Sequence, residues 1–230
     1  MLLTPAFYFA SAPLFVVFVD GLRVAKVRWP LVASSVLAVR PFHNALLAVY
    51  SLYVAFFTLS KLSCSHRADV LTNGLFPLVC VASPGSPALW YASKLWEWLD
   101  TAFLIFAGRE PGILHLFHHA STAPLVALHL SRRTIPTPLF DVGTLLNGGV
   151  HVLMYAYYLF PDGMRPVKRY ITLAQIFQHV IVIVLTVAAL AWPGCDAPPS
   201  VYASSLALYS GYLVLFLRFY HYRYDAKKEQ

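Results

Sequence analysis

Three histidines within five residues, His115, His118 and His119, lie inside an apolar stretch of the chain. An α-helix turns by about 100° per residue, so the three imidazoles would fall within one sector of roughly 100° and point into one site. Histidine clusters serve mainly in metal binding and in acid–base or nucleophilic catalysis. A single histidine on an apolar face is usually a packing residue, but three at this spacing indicate a functional site.

Charged side chains occur in the apolar stretch that precedes the histidines. Lys94, Glu97 and Asp100 follow one another at three-residue steps, which places them on adjacent turns of a helix. Such groups are costly in a bilayer and usually face a cavity or one another. One interpretation is a Lys94–Glu97 pair that only holds the helices together, but the third charge favours a functional role.

Two later apolar stretches carry polar residues along one face. In the first stretch these residues recur at helical spacing: Asn147, His151, Met154, Tyr155 and Tyr158. Aromatic residues at this spacing are often packing residues, whereas Asn147 and His151 in the same stripe favour a site. In the second stretch, Gln175 and Gln178 follow Thr172, and their amides either belong to that site or form interhelical hydrogen bonds.

The composition indicates that the helices carrying these residues lie in lipid. Of the 230 residues, 59% are hydrophobic and 12% are charged, against roughly 45–50% and roughly 25% in soluble domains. So few charges cannot coat a soluble domain, and three cysteines are too few for a secreted disulfide scaffold. The net charge of +7 comes from residues that flank apolar runs, which indicates a phospholipid surface or a phosphate-bearing ligand rather than nucleic acid.

The sequence predicts an all-α, polytopic membrane protein with seven transmembrane helices. A span needs about 20 mostly apolar residues, and seven stretches qualify: 1–19, 41–60, 87–107, 113–130, 142–160, 170–192 and 200–219. Residues 70–86 contain Pro77, Pro84 and Gly85 and are predicted to form a re-entrant or interfacial segment. Because the links between spans are short, residues 1–230 are predicted to form a single membrane-embedded domain with a short cytosolic tail at about 221–230.

The distribution of Lys and Arg predicts a lumenal N-terminus and a cytosolic C-terminus, because basic residues concentrate on the cytosolic side of a membrane protein. Twelve of the 17 basic residues then lie on the cytosolic side: Arg23, Lys26, Arg28, Arg40, Arg109, Arg165, Lys168, Arg169, Arg218, Arg223, Lys227 and Lys228. The opposite side holds four: Lys61, Arg67, Arg132 and Arg133.

The polar residues of the spans lie at a common depth. With a rise of about 1.5 Å per residue, four of them fall in the cytosolic half of the bilayer: Glu97, His118, His151 and Gln175. The lumenal halves of the same spans are apolar, as in residues 125–128 and 181–190. The pattern predicts a polar chamber that opens to the cytosol and continues as an apolar tunnel, which suits an amphiphile with a charged head and an acyl tail.

Several catalytic classes lack their residues in this chain. A di-iron membrane oxidase needs several histidine boxes, whereas this chain has one box plus His151 and His179 on other helices, which could hold one ion rather than two. The His-Glu-x-x-His helix of zinc hydrolases is absent from the sequence. The cysteines Cys64, Cys80 and Cys195 fall on the predicted lumenal side, away from the histidines, which argues against a cysteine nucleophile.

Four motifs, in this order, resemble those of the fatty acid elongases of the endoplasmic reticulum, the ELO-type very-long-chain 3-ketoacyl-CoA synthases. They are Lys94-x-x-Glu97-x-x-Asp100-Thr101, His115-x-x-His118-His119, Asn147-x-x-x-His151-x-x-Met154-Tyr155-x-Tyr157-Tyr158 and Thr172-x-x-Gln175-x-x-Gln178. The resemblance is close over residues 87–178 and rests on hydropathy outside them. It implies an acyltransferase that condenses acyl-CoA with malonyl-CoA and lengthens the acyl chain by two carbons, with no resident metal or cofactor.

The chemistry of this reaction and the resemblance assign roles to the residues. With no cysteine near the histidines, an imidazole can act as the nucleophile and form an acyl-imidazole, and this role is assigned to His118. His151, with Asn147 beside it, would promote decarboxylation and hydrogen-bond the enolate oxygen, while Gln175 and Gln178 would polarise a thioester carbonyl. The residues expected to set tautomers and orientation are His115, His119, Glu97 and Asp100. The expected substrate contacts are Tyr155 and Tyr158 and, for the CoA phosphates, Lys94, Arg109, Lys168, Arg169 and Arg223.

The chain end, the cysteines and the reaction carry further predictions. Lys227 and Lys228 resemble the dilysine retrieval signal of the endoplasmic reticulum, which predicts that membrane as the location. Cys80 and Cys195 are candidates for a disulfide on the oxidising lumenal side, with Cys64 as an alternative partner. The expected partners are acyl-CoA, malonyl-CoA, membrane lipid, the ketoacyl reductase, dehydratase and enoyl reductase of the elongation cycle, and a second copy of the chain, but not nucleic acid.

Two other classes of protein remain as alternatives. A metal-dependent membrane oxidase or desaturase would also use histidines near an acyl chain. A seven-span transporter or receptor fits the number of spans, but it has no need for a triple-histidine helix. The preferred acyl length is left open, since it depends on side chains in the lumenal halves of the spans, for which Trp90, Tyr91, Trp192 and Tyr202 are candidates.

Overall fold

Helices make up the regular structure of the part of the chain that the computed structural model describes, which is residues 10–73, 87–131, 138–191 and 199–225. In chain order they are α1 (Ser11–Arg28), α2 (Pro30–Ala38), α3 (Arg40–Asn73), α4 (Pro87–Trp96), α5 (Trp98–Phe106), α6 (Ile113–Ser131), α7 (Pro138–Leu159), α8 (Lys168–Ala191) and α9 (Pro199–Tyr220). A 3₁₀ turn, Arg165–Val167, leads into α8, and one π-helical turn, His221–Asp225, follows α9. The predicted all-α fold is confirmed.

Three of the described segments are long and apolar enough to cross a bilayer: Leu31–Ser63, Arg165–Ala191 and Ser200–Asp225. A shorter apolar segment, Ile113–Leu128, lies within α6. These segments agree with a multi-pass membrane protein. The count of seven spans and the tunnel stay predictions.

The chain forms two compact units, each built from two separate stretches. Unit 1 comprises Met1–Pro41 and Gly85–Arg133, and unit 2 comprises Phe42–Pro84 and Thr134–Gln230. In unit 1, α1 packs against α5 and α6, and α4 packs against α6. In unit 2, α8 packs against both α7 and α9. The single domain over residues 1–230 stays a prediction.

The apolar core of unit 1 holds the first turns of α6 in place. Phe15 and Val19 of α1 are buried together with Ile105 of α5. The half-buried residues that pack on them are Phe18, Leu22, Trp98, Leu116 and Ala120. Because Leu116 and Ala120 alternate with the histidines on α6, this packing fixes how the histidine-bearing turns are rotated about the helix axis.

The predicted third span, residues 87–107, is divided at Glu97 into two helices. The Asp100 N–H donates to the Glu97 carbonyl over 3.0 Å, a bond across three residues that tightens the chain locally. Beyond α5, Gly108 has a φ of 77°, a left-handed conformation that glycine adopts readily after a helix C-terminus. The division at Glu97 corrects the prediction of one continuous helix.

A partly buried ion pair joins α3 to α7 in unit 2. Lys61 Nζ lies 2.8 Å from Asp141 Oδ2, and the two side chains are 11% and 8% exposed. In the sequence, Lys61 is only a topology signal on the lumenal side, and no motif marks Asp141. In the structure Lys61 pairs with Asp141, so its charge also links α3 to α7.

Close packing between α3 and α7 depends on Gly148. A Cβ at this position would lie 3.2 Å from the Ser51 carbonyl oxygen and 3.3 Å from Ala55 Cβ, whereas a Cβ on the adjacent Gly149 would meet nothing within 4 Å. Small residues at helix contacts let the backbones of membrane helices approach each other. Gly148 is therefore the residue that permits this contact.

We expect Gly148→Ala to lower the free energy of unfolding by about 1–3 kcal/mol, because the added methyl group meets the backbone of α3. Gly149→Ala is the matched control and is expected to be neutral or to stabilise the helix by up to about 1 kcal/mol. Thermal unfolding of both variants in the same detergent measures the difference. Equal shifts for the two variants would show that the α3–α7 contact is looser than described.

Candidate active site

The first turns of α6, in unit 1, bring together the imidazoles of His115, His118 and His119. The rings of His115 and His119 are stacked, with centroids 4.2 Å apart and an interplanar angle of 28°. The ring of His118 meets that of His119 edge-on, at 5.5 Å and 69°. His119 is buried, while His115 and His118 are half-buried. The spacing on the helix thus produces one contiguous group of imidazoles, here called the histidine cluster.

Three residues from other helices of unit 1 hold the histidine cluster. Thr101 Oγ1 and His115 Nε2 form a hydrogen bond of 2.8 Å, and Trp98 Nε1 donates to the His119 carbonyl oxygen over 3.2 Å. Phe15 of α1 stacks on the His119 ring, with centroids 6.1 Å apart. None of these three residues was predicted to have a role. Thr101 stood next to Asp100 in a quoted motif, which is the one signal that could have found it.

The predicted charged site in unit 1 contains a short ion pair. Lys94 Nζ lies 2.6 Å from Glu97 Oε1, and both side chains are almost fully buried, at 3% and 4% exposure. The ammonium group also lies 3.9 Å from the centre of the Trp90 ring, a cation–π contact that adds to the attraction. The ammonium group of Lys94 therefore contacts Glu97 and Trp90 inside unit 1. Asp100, one helical turn after Glu97, is half-buried.

In unit 2, α7 presents the predicted stripe of polar and aromatic residues. Asn147 Nδ2 lies 3.3 Å from His151 Nε2. An amide nitrogen only donates, so Nε2 accepts and a neutral His151 carries its proton on Nδ1. The rings of His151 and Tyr155 meet edge-to-face, at 5.6 Å and 87°, and Tyr155 meets Tyr158 in the same way at 5.9 Å.

On α8, the two predicted glutamines differ in their surroundings. Gln175 is half-buried and its Nε2 lies 3.9 Å from Met154 Sδ on α7. Gln178 is buried, and its Oε1 has no hydrogen-bond partner within the described residues. A buried amide oxygen usually has a donor, so this atom is suited to a water molecule or a ligand that supplies one.

A second buried polar pair in unit 2, His43 and Asn44 near the start of α3, was missed in the sequence analysis. The two side chains are 4% and 2% exposed, and the His43 ring lies 6.2 Å from that of Tyr155 at an angle of 81°. A lone histidine beside one asparagine in an apolar run resembles a packing residue. A contact with Tyr155 on α7, far away in the sequence, connects His43 to the predicted site.

The basic residues predicted to bind phosphates lie at helix ends. In unit 2, Arg169 Nε donates to Tyr220 Oη, and its Nη2 lies 3.7 Å from Asp225 Oδ1. Lys168 Nζ lies 5.7 Å from the centre of the Tyr157 ring. Arg223, on the π-helical turn, and Arg109, after α5, are exposed. The start of α8 and the end of α9 thus form one basic and aromatic surface within unit 2.

Some predicted features lie outside the described residues: Cys80, Cys195, Trp192, Lys227, Lys228 and residues 74–86. The side chains of Cys64 and Arg67 are likewise outside the description. Within the described ranges, no group of three or more His, Cys, Asp or Glu side chains is arranged to hold a metal ion. The disulfide and the retrieval signal therefore stay predictions.

Apolar helices long enough to cross a bilayer, with imidazole, amide and carboxylate side chains buried inside their units, define the class of this molecule. It is a multi-pass membrane protein with polar groups of the kind that usually mark function inside a membrane.

The match of the chain to a known family agrees with this class. All of residues 1–230 match the GNS1/SUR4 family, ELO, and the chain belongs to that family. The resemblance based on the four motifs is confirmed.

The chain is also similar to several curated proteins. It is 34% identical to "Very long chain fatty acid elongase 5" of Homo sapiens over 148 residues, 60% of this chain and 48% of the human protein. It is 37% identical to "Very long chain fatty acid elongase 2" of Rattus norvegicus over 153 residues, 60% of this chain and 52% of the rat protein. Elongase 5 of Xenopus laevis is 28% identical over 240 residues, which cover 97% of this chain and 76% of that protein. The chain spans about half the length of the mammalian relatives it matches.

Proposed function

We propose that this protein is the condensing enzyme of fatty acid elongation. It converts an acyl-CoA, malonyl-CoA and a proton into a 3-ketoacyl-CoA longer by two carbons, with release of CO2 and CoA. The observation that carries the proposal is the histidine cluster on α6, whose rings lie 4.2 and 5.5 Å apart in a chain of the GNS1/SUR4 family. Imidazoles grouped in this way supply both a nucleophile and neighbours that control its protonation.

The first step is acyl transfer to His118. A ring nitrogen of His118 attacks the thioester carbonyl, the carbon–sulfur bond breaks, and the CoA thiolate leaves with the proton from the imidazole. His115 and His119 act as positioning residues, because Thr101 and Trp98 hold them from α5. The product is an acyl-imidazole, which is reactive enough to be attacked again.

The second step forms the new carbon–carbon bond. Malonyl-CoA loses CO2, and the carbon left behind as an enolate attacks the acyl carbonyl. The carbon–nitrogen bond to His118 then breaks, and the departing imidazole takes up a proton. We assign His151 to stabilise the enolate oxygen through its Nδ1–H, which its 3.3 Å contact with Asn147 supports.

Two further sets of residues bind the thioesters. The amides of Gln175 and Gln178 polarise a thioester carbonyl, and the partnerless Oε1 of Gln178 within the described residues supports a ligand nearby. We assign the CoA phosphates to basic residues at helix ends: Arg109, Lys168, Arg169 and Arg223. Lys94 is left out of this set, since Glu97 and Trp90 already surround its ammonium group.

The proposed reaction implies a location and partners. We place the protein in the endoplasmic reticulum membrane with a lumenal N-terminus and a cytosolic C-terminus. There, a ketoacyl reductase, a dehydratase and an enoyl reductase would process the 3-ketoacyl product. A second copy of the chain is a further proposed partner.

The purified full chain, incubated with labelled malonyl-CoA and a series of acyl-CoA primers, tests the function. We expect CO2 and free CoA in equal amounts, together with a 3-ketoacyl-CoA two carbons longer than the primer. The primer that reacts fastest also reports the preferred chain length. A transporter would release no CoA, and a metal-dependent oxidase would contain stoichiometric iron or zinc and consume oxygen instead of malonyl-CoA.

Thr101→Val is expected to lower kcat about tenfold, because it removes the hydrogen bond to His115 Nε2 and keeps the shape of the side chain. Thr101→Ser retains the hydroxyl group and is expected to stay within about threefold of wild type. Steady-state rates of CoA release for both variants provide the comparison. Equal rates for the two variants would show that the hydroxyl group does not position His115.

A further inference from the structure

His43 is buried in unit 2. The proposed mechanism assigns it no role. Its side chain is 4% exposed, and that of the adjacent Asn44 is 2% exposed. Burying an imidazole in a membrane helix is unfavourable unless contacts within the protein offset the loss of water. One such contact joins His43 to the ring of Tyr155 on α7.

The Tyr155 ring contacts two histidine rings. Its ring meets that of His43 at 6.2 Å and 81°, and that of His151 at 5.6 Å and 87°. Edge-to-face geometry at these distances is the favourable one for aromatic pairs. Tyr155 is fully buried, with 0% exposure. Its ring therefore packs against both histidine rings inside unit 2.

Two contacts on α7 help to orient His151. Asn147 contacts Nε2 over 3.3 Å, which sets the tautomer, and the ring of Tyr155 sets the plane of the imidazole. With the tautomer and the ring plane set, the Nδ1–H of a neutral His151 points in one direction. Movement of Tyr155 would remove one of the contacts that restrain the tilt of this ring.

We propose that His43 is a positioning residue for His151 and acts through Tyr155. This inference rests on the function proposed for His151. His43 contacts Tyr155 from α3, a different helix from the one that carries Tyr155 and His151. It thereby keeps the Tyr155 ring in place beside His151 when α7 flexes. The ring of His43 provides this effect, and its nitrogens are not needed for it.

Three variants of the full chain separate positioning from general packing. His43→Ala removes the ring, His43→Phe keeps a ring of similar size, and His179→Ala is the matched control. His179 is also a buried histidine of unit 2, but its ring contacts are with Tyr209, Tyr212 and Phe216 on α9. Both alanine variants leave a cavity of the same kind, and only one of them lies beside Tyr155.

We expect His43→Ala to lower kcat for 3-ketoacyl-CoA formation about tenfold while KM for both substrates stays within about twofold. His43→Phe should restore kcat to within about twofold of wild type, and His179→Ala should keep the wild-type kcat although both alanine variants unfold at lower temperature. Unchanged kcat in His43→Ala, an equal loss in His179→Ala, or no rescue by phenylalanine would each overturn the proposal.

A measurement independent of turnover distinguishes this inference from the proposed function. Diethylpyrocarbonate modifies accessible imidazoles, and mass spectrometry gives its rate at His151. We expect His43→Ala to raise that rate at least about fivefold over wild type, with no change in His43→Phe or His179→Ala. If wild type catalyses no condensation but the rate still responds in this pattern, the proposed function fails and the positioning by His43 stands. An unchanged rate in His43→Ala refutes the positioning.

Discussion

Replacing His118 with alanine is expected to lower the rate of 3-ketoacyl-CoA formation by at least about a thousandfold, because the variant has no nitrogen to accept the acyl group. The fold should be unaffected. His118 is half-buried rather than part of the core, and alanine is the residue most favourable to a helix. CoA release and thermal unfolding, measured on the same preparation, test both parts of the prediction.

Added imidazole provides a further control for His118. A small imidazole that diffuses into the cavity left by His118→Ala is expected to restore part of the CoA release, as a mobile nucleophile. It should not rescue His151→Ala, in which the missing group is a fixed hydrogen-bond donor. Retention of more than about a tenth of the activity by His118→Ala would contradict the role of nucleophile.

Replacing His151 with alanine is expected to separate the two half-reactions. Formation of the 3-ketoacyl product should fall by about a hundredfold to a thousandfold, because the enolate oxygen loses its donor. Release of CoA from acyl-CoA alone should continue, since that step uses His118. The comparison of product formation with single-turnover CoA release measures this separation. Loss of both steps in His151→Ala would show that the two histidines do not act in separate steps.

Asn147→Asp tests the same assignment without changing the size of the side chain. The amide of Asn147 donates to His151 Nε2, whereas a carboxylate only accepts and requires a proton on Nε2. A neutral His151 then has no proton on Nδ1, so product formation is expected to fall about tenfold or more while acyl transfer continues. An active Asn147→Asp enzyme would contradict the tautomer that the structure favours.

Hydropathy predicts the apolar middle of a helix better than its ends. The first predicted span stopped at Val19, yet α1 continues to Arg28, and an ion pair of 3.3 Å between Asp20 and Arg23 lies within that extension. The second predicted span stopped at residue 60, yet α3 continues to Asn73. Charged residues end an apolar run, but they do not end a helix, because the backbone hydrogen bonds continue through them.

The spacing of the motifs predicted contacts between residues of the same helix. The stacking of His115 on His119 follows from a separation of four residues on α6. The bond from Thr101 to His115 and the contact of His43 with Tyr155 join residues of different helices. No local pattern specifies such contacts, since they depend on how the helices pack, and the same holds for the pair Lys61–Asp141.

Incubation of the purified full chain with acyl-CoA alone, without malonyl-CoA, is the most direct test of catalysis through an acyl-histidine. We expect one equivalent of free CoA per active protein molecule, together with one acyl group on His118 in the peptide analysed by mass spectrometry. Later addition of malonyl-CoA should remove that group and yield the 3-ketoacyl product. Release of CoA only in the presence of malonyl-CoA, with no acyl group on the protein, would contradict the mechanism and indicate direct attack in a ternary complex.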